Sequence, residues 1–218
     1  MVEFDAETGR YGIGLGALLA GSSFLERDPV SRFAGPLLRR LEQELDETVH
    51  LARLDGGNVV YLVSREAAHH ARRTSRVGRR LPAHVCALGK ALLAARPDEV
   101  VREILPEELV ARTPATITDF GRLLADLTAT RARGHARERE ENSADLGCVA
   151  VTVPRGSAPV DALSCSMPLE RFTSEKEAVV VEALRRAAAQ LAESVELAMP
   201  LPETDAPWTR SRPLSTRL

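Results

Sequence analysis

The sequence is poor in several features that define large classes of protein. Its 218 residues include three cysteines, Cys86, Cys148 and Cys165, with no CxxC spacing between them, so neither a disulfide framework nor a standard structural zinc site is indicated. No apolar run approaches the roughly 20 residues of a membrane span, and the first residues lack the basic start of a signal peptide. The sequence therefore predicts a cytoplasmic protein with reduced thiols and no membrane contact.

Aromatic residues and excess positive charge are also scarce. Aromatic residues make up 4% of the chain and the formal net charge is −2, whereas domains that bind nucleic acid unaided are usually basic. The arginine-rich segment 65–80 contains no stacking aromatic residue, so a solvated edge strand or loop is favoured there over a nucleic-acid contact. His69 and His70 are neighbours on a predicted strand and would point to opposite faces, which disfavours a shared metal ion.

Motifs of common enzyme classes are missing as well. The sequence has no GxSxG elbow, no HExxH and no nucleotide-binding glycine loop. An enzyme would have to use Cys86 or Cys148 as nucleophile with His84 or His135 as base, and a two-residue separation does not make His84 a natural base for Cys86. A zinc site built from His84, Cys86, Cys148 and Cys165 is disfavoured because Cys165 is expected to face away from the other ligands.

The chain's most informative stretch is 79–94, in which Pro82 ends a strand and a helix follows. Val85, Leu88 and Leu92 recur at helical spacing, so one face of this helix is predicted to be buried. Gly89 lies within that face and costs about 1 kcal/mol relative to alanine, which indicates close approach by a neighbouring strand or a ligand. The unpaired N–H groups of the first turn would attract an anion if they faced a cavity. An ordinary core helix with a packing glycine is the alternative.

A second polar feature lies in the predicted hairpin formed by 148–153 and 160–167. Side chains alternate along a strand, so Ser164 and Ser166 share one face and Cys165 lies on the other. Two buried hydroxyl groups require hydrogen-bond partners, which a polar ligand or ordered water would supply.

The remaining elements follow from local signals. Asp28-Pro29 is typical of a helix start, Asp119 and Gly134 of the two ends of another helix, and Ser174 with Glu177 of a capping box. The predicted elements also include an apolar helix at 15–25, a first hairpin from 48–54 and 59–64, and a closing helix from 174 to 198. With 44% hydrophobic residues, the chain can bury one substantial core. This order of elements predicts an α+β domain with a mostly antiparallel sheet.

Four stretches together resemble the effector-binding domain of IclR-type transcriptional regulators. They are Pro82-x-His84-x-x-Ala87-x-Gly89-Lys90-Ala91-Leu92-Leu93-Ala94, Glu47-Thr48-Val49-His50-Leu51 with Asp55-Gly56-Gly57-Asn58-Val59-Val60-Tyr61-Leu62, Cys148-Val149-Ala150-Val151, and Leu163-Ser164-Cys165-Ser166-Met167-Pro168. The resemblance implies a GAF-like or profilin-like sheet of about six strands flanked by helices. It also implies a sensor with no chemistry or cofactor of its own.

The resemblance further implies a set of effector contacts. These are Ala87, Leu88, Glu138, Cys148, Ser164 and Ser166. Glu141 is the alternative to Glu138, and a surface charge run is the alternative to either role. Because Val85 and Leu88 are bulkier than is common in this stretch of the family, a narrow cavity and a small organic acid are expected.

The expected organisation has three parts. Residues 1–27 would be the end of a wing and a linker helix, 28–199 the effector-binding domain, and 200–218 a disordered tail. A plain N-terminal strand is the alternative for the wing. We expect a homo-oligomer, a dimer or dimer of dimers, that reaches DNA through a helix-turn-helix domain absent from this chain. A small cysteine-dependent hydrolase and an orphan ligand-binding module remain the alternatives.

Overall fold

A computed structural model describes residues 1–67 and 77–198. The middle of the arginine-rich segment, with His69 and His70, and the predicted tail both lie outside the described residues. No helix in the described part of the chain is both long and apolar enough to cross a membrane.

Eight strands and six α-helices make up the described fold. The strands are β1 (Val2–Asp5), β2 (Arg10–Ile13), β3 (Thr48–Asp55), β4 (Asn58–Arg65), β5 (Arg80–Pro82), β6 (Ala136–Arg139), β7 (Leu146–Thr152) and β8 (Asp161–Pro168). The helices are α1 (Leu15–Arg27), α2 (Pro29–Leu45), α3 (Ala87–Ala94), α4 (Asp98–Ile104), α5 (Phe120–Arg133) and α6 (Ser174–Ala198). The α+β prediction is confirmed.

Six of the strands form one sheet in the order β5-β4-β3-β8-β7-β6. Every neighbouring pair in it is antiparallel, as predicted for a GAF-like sheet. The other two strands, β1 and β2, form a separate hairpin whose residues are all exposed.

Helices cover both faces of the six-stranded sheet. Helices α2 and α6 pack on one face, where strand residues such as Val49, Leu163 and Cys165 point. Helices α3 and α5 pack on the other face against small strand residues such as Ala150 and Ala162. Strand alternation therefore divides each central strand between two apolar cores.

Helix α3 differs from the sequence prediction in its start and in its burial. A 3₁₀ turn (Ala83–Val85) follows β5, and the helix begins at Ala87 with Cys86 as N-cap. All eight helical residues are buried, so the apolar stripe is not restricted to one face. Gly89 approaches the backbone of Ala83, where an added Cβ would clash, so the predicted close contact is made by the preceding turn rather than by a strand or ligand.

The predicted helix ends are mostly observed. Asp28 accepts from Ser31 N–H at 2.8 Å, Asp119 accepts from Arg122 N–H at 2.8 Å, and Gly134 adopts the left-handed conformation after α5. The predicted capping box at Ser174 is wrong by one residue. Ser174 is already helical, and the hydroxyl of Thr173 accepts from Lys176 N–H at 3.2 Å.

Candidate functional site

A cavity of about 580 Å³ lies between the sheet and the N-terminal end of α3. This volume is within the range of about 300–1,000 Å³ that small-molecule sites occupy. All six residues predicted as effector contacts border it: Ala87, Leu88, Glu138, Cys148, Ser164 and Ser166. The structure therefore brings together side chains from four separate elements, and their role in binding stays a prediction.

Helix α3 presents its first turn to this cavity. The first bond that closes its backbone runs from Lys90 N–H to Cys86 O at 3.0 Å, so the N–H groups of Ala87 and Leu88 precede the helical ladder. Cys86 gives the helix no side-chain cap. Buried, uncapped N–H groups with the positive end of the helix dipole behind them favour an anion.

Two cross-strand rows form the polar side of the cavity. Glu138 on β6, Cys148 on β7, Ser166 on β8 and Thr48 on β3 are direct partners in successive strand pairs. Cys148 Sγ and Ser166 Oγ are 3.1 Å apart. The row places carboxyl, thiol and hydroxyl groups side by side.

The second row lies one pleat further along the strands. Ser164 is paired with His50 on β3, which in turn is paired with Ser64 on β4. His50 Nδ1 lies 3.0 Å from Ser64 Oγ, and burial, with Arg79 nearby, lowers the pKa of His50 to about 4. A neutral histidine therefore borders the cavity beside Ser164.

Glu138 is the most buried acid of the cavity, with 2% of its surface exposed. Its Oε2 accepts from the backbone N–H of Glu141 at 2.9 Å. Burial raises the pKa of Glu138 to about 7, although hydrogen bonds from Cys148 and from the Glu141 backbone act in the opposite direction. This carboxyl group therefore keeps its proton to a higher pH than an ordinary glutamate.

Glu141, the alternative candidate, has a different role. Its carboxylate bonds Lys90 Nζ at 2.6 Å, and Lys90 also forms an ion pair with Asp126 at 3.0 Å. Lys90 is 1% exposed. The structure thus places Glu138 at the cavity and commits the side chain of Glu141 to a buried ion cluster behind it.

Hydroxyl groups on the segment before α5 hold the backbone around Glu141. Thr113 Oγ1 donates to Glu140 O and Thr116 Oγ1 donates to Glu141 O, each at 2.6 Å. These bonds, together with the Lys90 pair, fix the position of the N–H group that Glu138 accepts from.

Sequence reasoning missed several cavity residues. They are Thr48, His50, Tyr61, Glu66, Arg79, Arg112, Asn142, Ser143, Leu146, Pro168, Glu170 and Arg171. The one local signal for His50 was its position between the apolar residues Val49 and Leu51 of β3. The arginines carried no such signal, because exposed arginines are common throughout this chain.

The thiols at the cavity are poor candidates for nucleophiles. Burial raises the pKa of Cys86 to about 12 and that of Cys148 well above its usual value, and the thiolate is the reactive form. His84 Nε2 lies 3.1 Å from Val110 O, and His135 Nε2 lies 2.8 Å from Glu177 Oε1. Both imidazoles have partners other than a cysteine.

The fold and the cavity define a ligand-binding α+β domain. The chain matches the family described as bacterial transcriptional regulator IclR C-terminal over residues 22–193. It belongs to this family of transcriptional regulators, and its relatives are regulators rather than enzymes.

Similar proteins agree with this assignment. The transcriptional regulator KdgR of Dickeya chrysanthemi is 33% identical over 193 residues, covering 88% of this chain and 63% of that protein. The crystal structure of IclR from Thermotoga maritima is 31% identical with a TM-score of 0.78, over 89% of this chain and 79% of that one. An IclR homologue of Microbacterium hydrocarbonoxydans, complexed with 4-hydroxybenzoate, is 25% identical with a TM-score of 0.75, over 90% of this chain and 80% of that one. The chain thus spans less than two thirds of the length of the Dickeya regulator.

Proposed function

We propose that this chain senses a small organic acid and transmits its presence to a DNA-binding segment of the same regulator. The observation that carries this proposal is that Ala87 and Leu88, the first two residues of α3, border the same cavity as Ser164 and Ser166. Two backbone N–H groups and two hydroxyl groups can donate to a carboxylate, and charge-assisted hydrogen bonds of this kind are the stronger ones. The homologue complexed with 4-hydroxybenzoate supports an acid as ligand.

Organisation follows from the same proposal. Residues 1–27, with the β1–β2 hairpin and α1, would connect the sensor to a helix-turn-helix domain, and 28–199 would be the effector-binding domain. The disordered tail predicted at 200–218 lies outside the described residues and stays a prediction. Because DNA is the proposed partner, we place the protein in the cytoplasm.

Self-association is the second part of the proposal. Helix α1 buries none of its residues, and its exposed apolar side chains include Leu15, Leu18, Leu19 and Phe24. Contiguous exposed apolar surface on a soluble domain favours an isologous contact with a second copy. Light scattering at micromolar concentration should give a dimer or tetramer, and a stable monomer would contradict this part. This chain by itself should give no sequence-selective DNA gel shift.

A binding experiment tests the site. Acetate, glycolate, benzoate and 4-hydroxybenzoate are screened by thermal shift, since a ligand at a hundredfold excess over Kd stabilises the native state by about 2.7 kcal/mol. The double variant Ser164→Ala with Ser166→Ala should weaken binding by about two to four orders of magnitude, because each bond to a charged group contributes about 1.5–3 kcal/mol. Unchanged affinity by calorimetry would show that the site lies elsewhere.

The control is Ser157→Ala, in the loop between β7 and β8, where the serine is exposed. This change should alter neither the unfolding temperature nor the affinity. The double variant must also retain cooperative unfolding without ligand, so that loss of binding is separated from loss of fold.

A further inference from the structure

Next to the polar side of the cavity, buried carboxyl groups outnumber the ammonium groups that could neutralise them. Three carboxyl groups, those of Glu138, Glu141 and Asp126, surround one ammonium group, that of Lys90. Lys90 Nζ contacts Glu141 at 2.6 Å and Asp126 at 3.0 Å, so its short contacts are with these two groups, and it acts on Glu138 only at longer range. Among the described residues, Glu138 takes part in no ion pair.

An acidic ligand would increase this imbalance. A carboxylate held by the amides of Ala87 and Leu88 would share one cavity with Glu138, which is almost fully buried. Like charges in a desolvated site disfavour each other, and one of two close carboxyl groups then retains a proton. Lys90 cannot offset the added charge without leaving Glu141.

Resting on the proposed function, we propose that the cavity takes up its carboxylate ligand together with one proton, and that Glu138 holds this proton. The Oε2 atom of Glu138 accepts from Glu141 N–H, and the carboxyl group also accepts from the Cys148 thiol. A proton on Oε1 would be donated to a ligand oxygen, and the Cys148 thiol would then donate to Ser166 Oγ, 3.1 Å from its sulfur. Glu138 would then act as a hydrogen-bond donor in the bound state. The protein with Glu138 protonated would therefore bind the carboxylate ligand more tightly than the protein with Glu138 ionised.

The other titratable groups that face Glu138 do not supply this proton. Burial raises the pKa values of Tyr61 on β4, Cys86 before α3 and Cys148 on β7, so all three are already neutral. Lys90 on α3 remains paired with Glu141, which lies in the loop between β6 and β7.

Other charged groups border the same cavity. His50 is kept neutral by burial, which lowers its pKa to about 4. The remaining ones are Glu66, Arg79, Arg112, Glu170 and Arg171. Arginine stays charged throughout the accessible pH range, so the arginines cannot exchange the proton. Burial raises the pKa of Glu138 itself to about 7, so Glu138 can take up a proton near neutral pH when the ligand binds.

Calorimetry with 4-hydroxybenzoate and with benzoate tests the proposal. Titrations at one pH in two buffers give the number of protons taken up, since the two buffers release different heats on losing a proton. HEPES and Tris serve at about pH 8, and MES and piperazine serve at about pH 5.5. The wild-type protein should take up nearly one proton per ligand at about pH 8 and nearly none at about pH 5.5, and its affinity should fall by up to about tenfold per pH unit above pH 7. The carboxyl groups of these ligands, with pKa about 4, stay ionised over this range.

Glu138→Gln provides the discriminating variant, because glutamine has the same shape, can donate to the ligand and does not titrate. It should bind without proton uptake and with an affinity independent of pH. Glu99→Gln, an exposed carboxyl on α4 that does not border the cavity, is the matched control and should keep the wild-type proton uptake.

The possible failures are distinguishable. Saturable binding to the wild type with no proton uptake at about pH 8, or proton uptake that persists in Glu138→Gln, would overturn the proposal while leaving the organic-acid site intact. Absence of binding by either acid at all pH values would instead contradict the proposed function for this ligand class, and the proton coupling with it.

Discussion

Replacing Lys90 by methionine tests the buried ion cluster directly. Methionine fills the volume of the lysine stem but removes the ammonium group, so Glu141 and Asp126 lose the cation that lies 2.6 and 3.0 Å from them. Glu141 is 8% exposed and cannot be rehydrated without moving the loop that Thr113 and Thr116 hold. Removing one partner of a buried pair costs about 3–5 kcal/mol, a large share of the roughly 5–15 kcal/mol that stabilises a typical domain.

Urea unfolding at about pH 8 measures the loss, and a double-mutant cycle assigns it. In the Glu141→Gln background, Lys90→Met should cost at least about 2 kcal/mol less than in the wild type, because the stranded carboxylate is then absent. If Lys90→Met leaves too little native protein to measure, the Glu141→Gln single variant still reports the loss of the same contact.

The pH dependence of the Lys90→Met variant gives an independent check. Burial raises the pKa of Glu141, and removal of Lys90 removes the largest influence that lowers it. The folded protein then binds an extra proton at acidic pH, so part of the lost stability should return as the pH falls. Arg186→Met breaks an ion pair with Glu44 on the exposed surfaces of α6 and α2 and should change stability little. A loss equal to that of Arg186→Met, or one unaffected by Glu141→Gln, would refute the reasoning.

Two further predictions concern α3 and Glu138. Gly89→Ala should destabilise the protein by about 1–3 kcal/mol in thermal unfolding, because the new Cβ meets the backbone of Ala83; the better helix propensity of alanine does not offset this clash. In the control Gly21→Ala, in α1, the new Cβ meets no atom within 4 Å, so this change should be neutral or stabilising. Glu138→Gln should be more stable than the wild type by up to about 3 kcal/mol at about pH 8, and this difference should vanish near pH 4 in chemical denaturation. The sign follows from a folded pKa of about 7 against an ordinary value of 4.5: the stability contributed by the acid is full below pH 4.5 and is lost as the pH rises through 7. An equal stability of the two proteins at about pH 8 would show that Glu138 titrates normally.

Local signals in the sequence determined the elements and their ends. Asp28, Asp119 and Gly134 satisfy backbone groups within a few residues of themselves, so their roles can be recognised without knowledge of the fold. Alternation along β8 likewise placed Ser164 and Ser166 on one face and Cys165 on the other. The family resemblance added the sheet and the expected contacts.

Tertiary structure decided what the polar residues do. The row Glu138, Cys148, Ser166 and Thr48 depends on the register of four strands, three of them consecutive and the fourth, β3, distant in the sequence. Register is set by pairing along the whole sheet. The complete burial of α3 depends on α5 and the sheet covering it from both sides, which helical periodicity alone does not reveal.

Two neighbouring acids show most clearly the difference between what the sequence determines and what the tertiary structure decides. Glu138 and Glu141 lie three residues apart in one charged run, and the sequence left open which of them faces the cavity. Strand β6 ends at Arg139, so the alternation of side chains along the strand does not extend from Glu138 to Glu141. The carboxylate of Glu141 instead accepts from Lys90, which is 51 residues away in the sequence. Charge and residue type are local properties, whereas the partner that neutralises a buried charge is chosen by the packing of the folded chain.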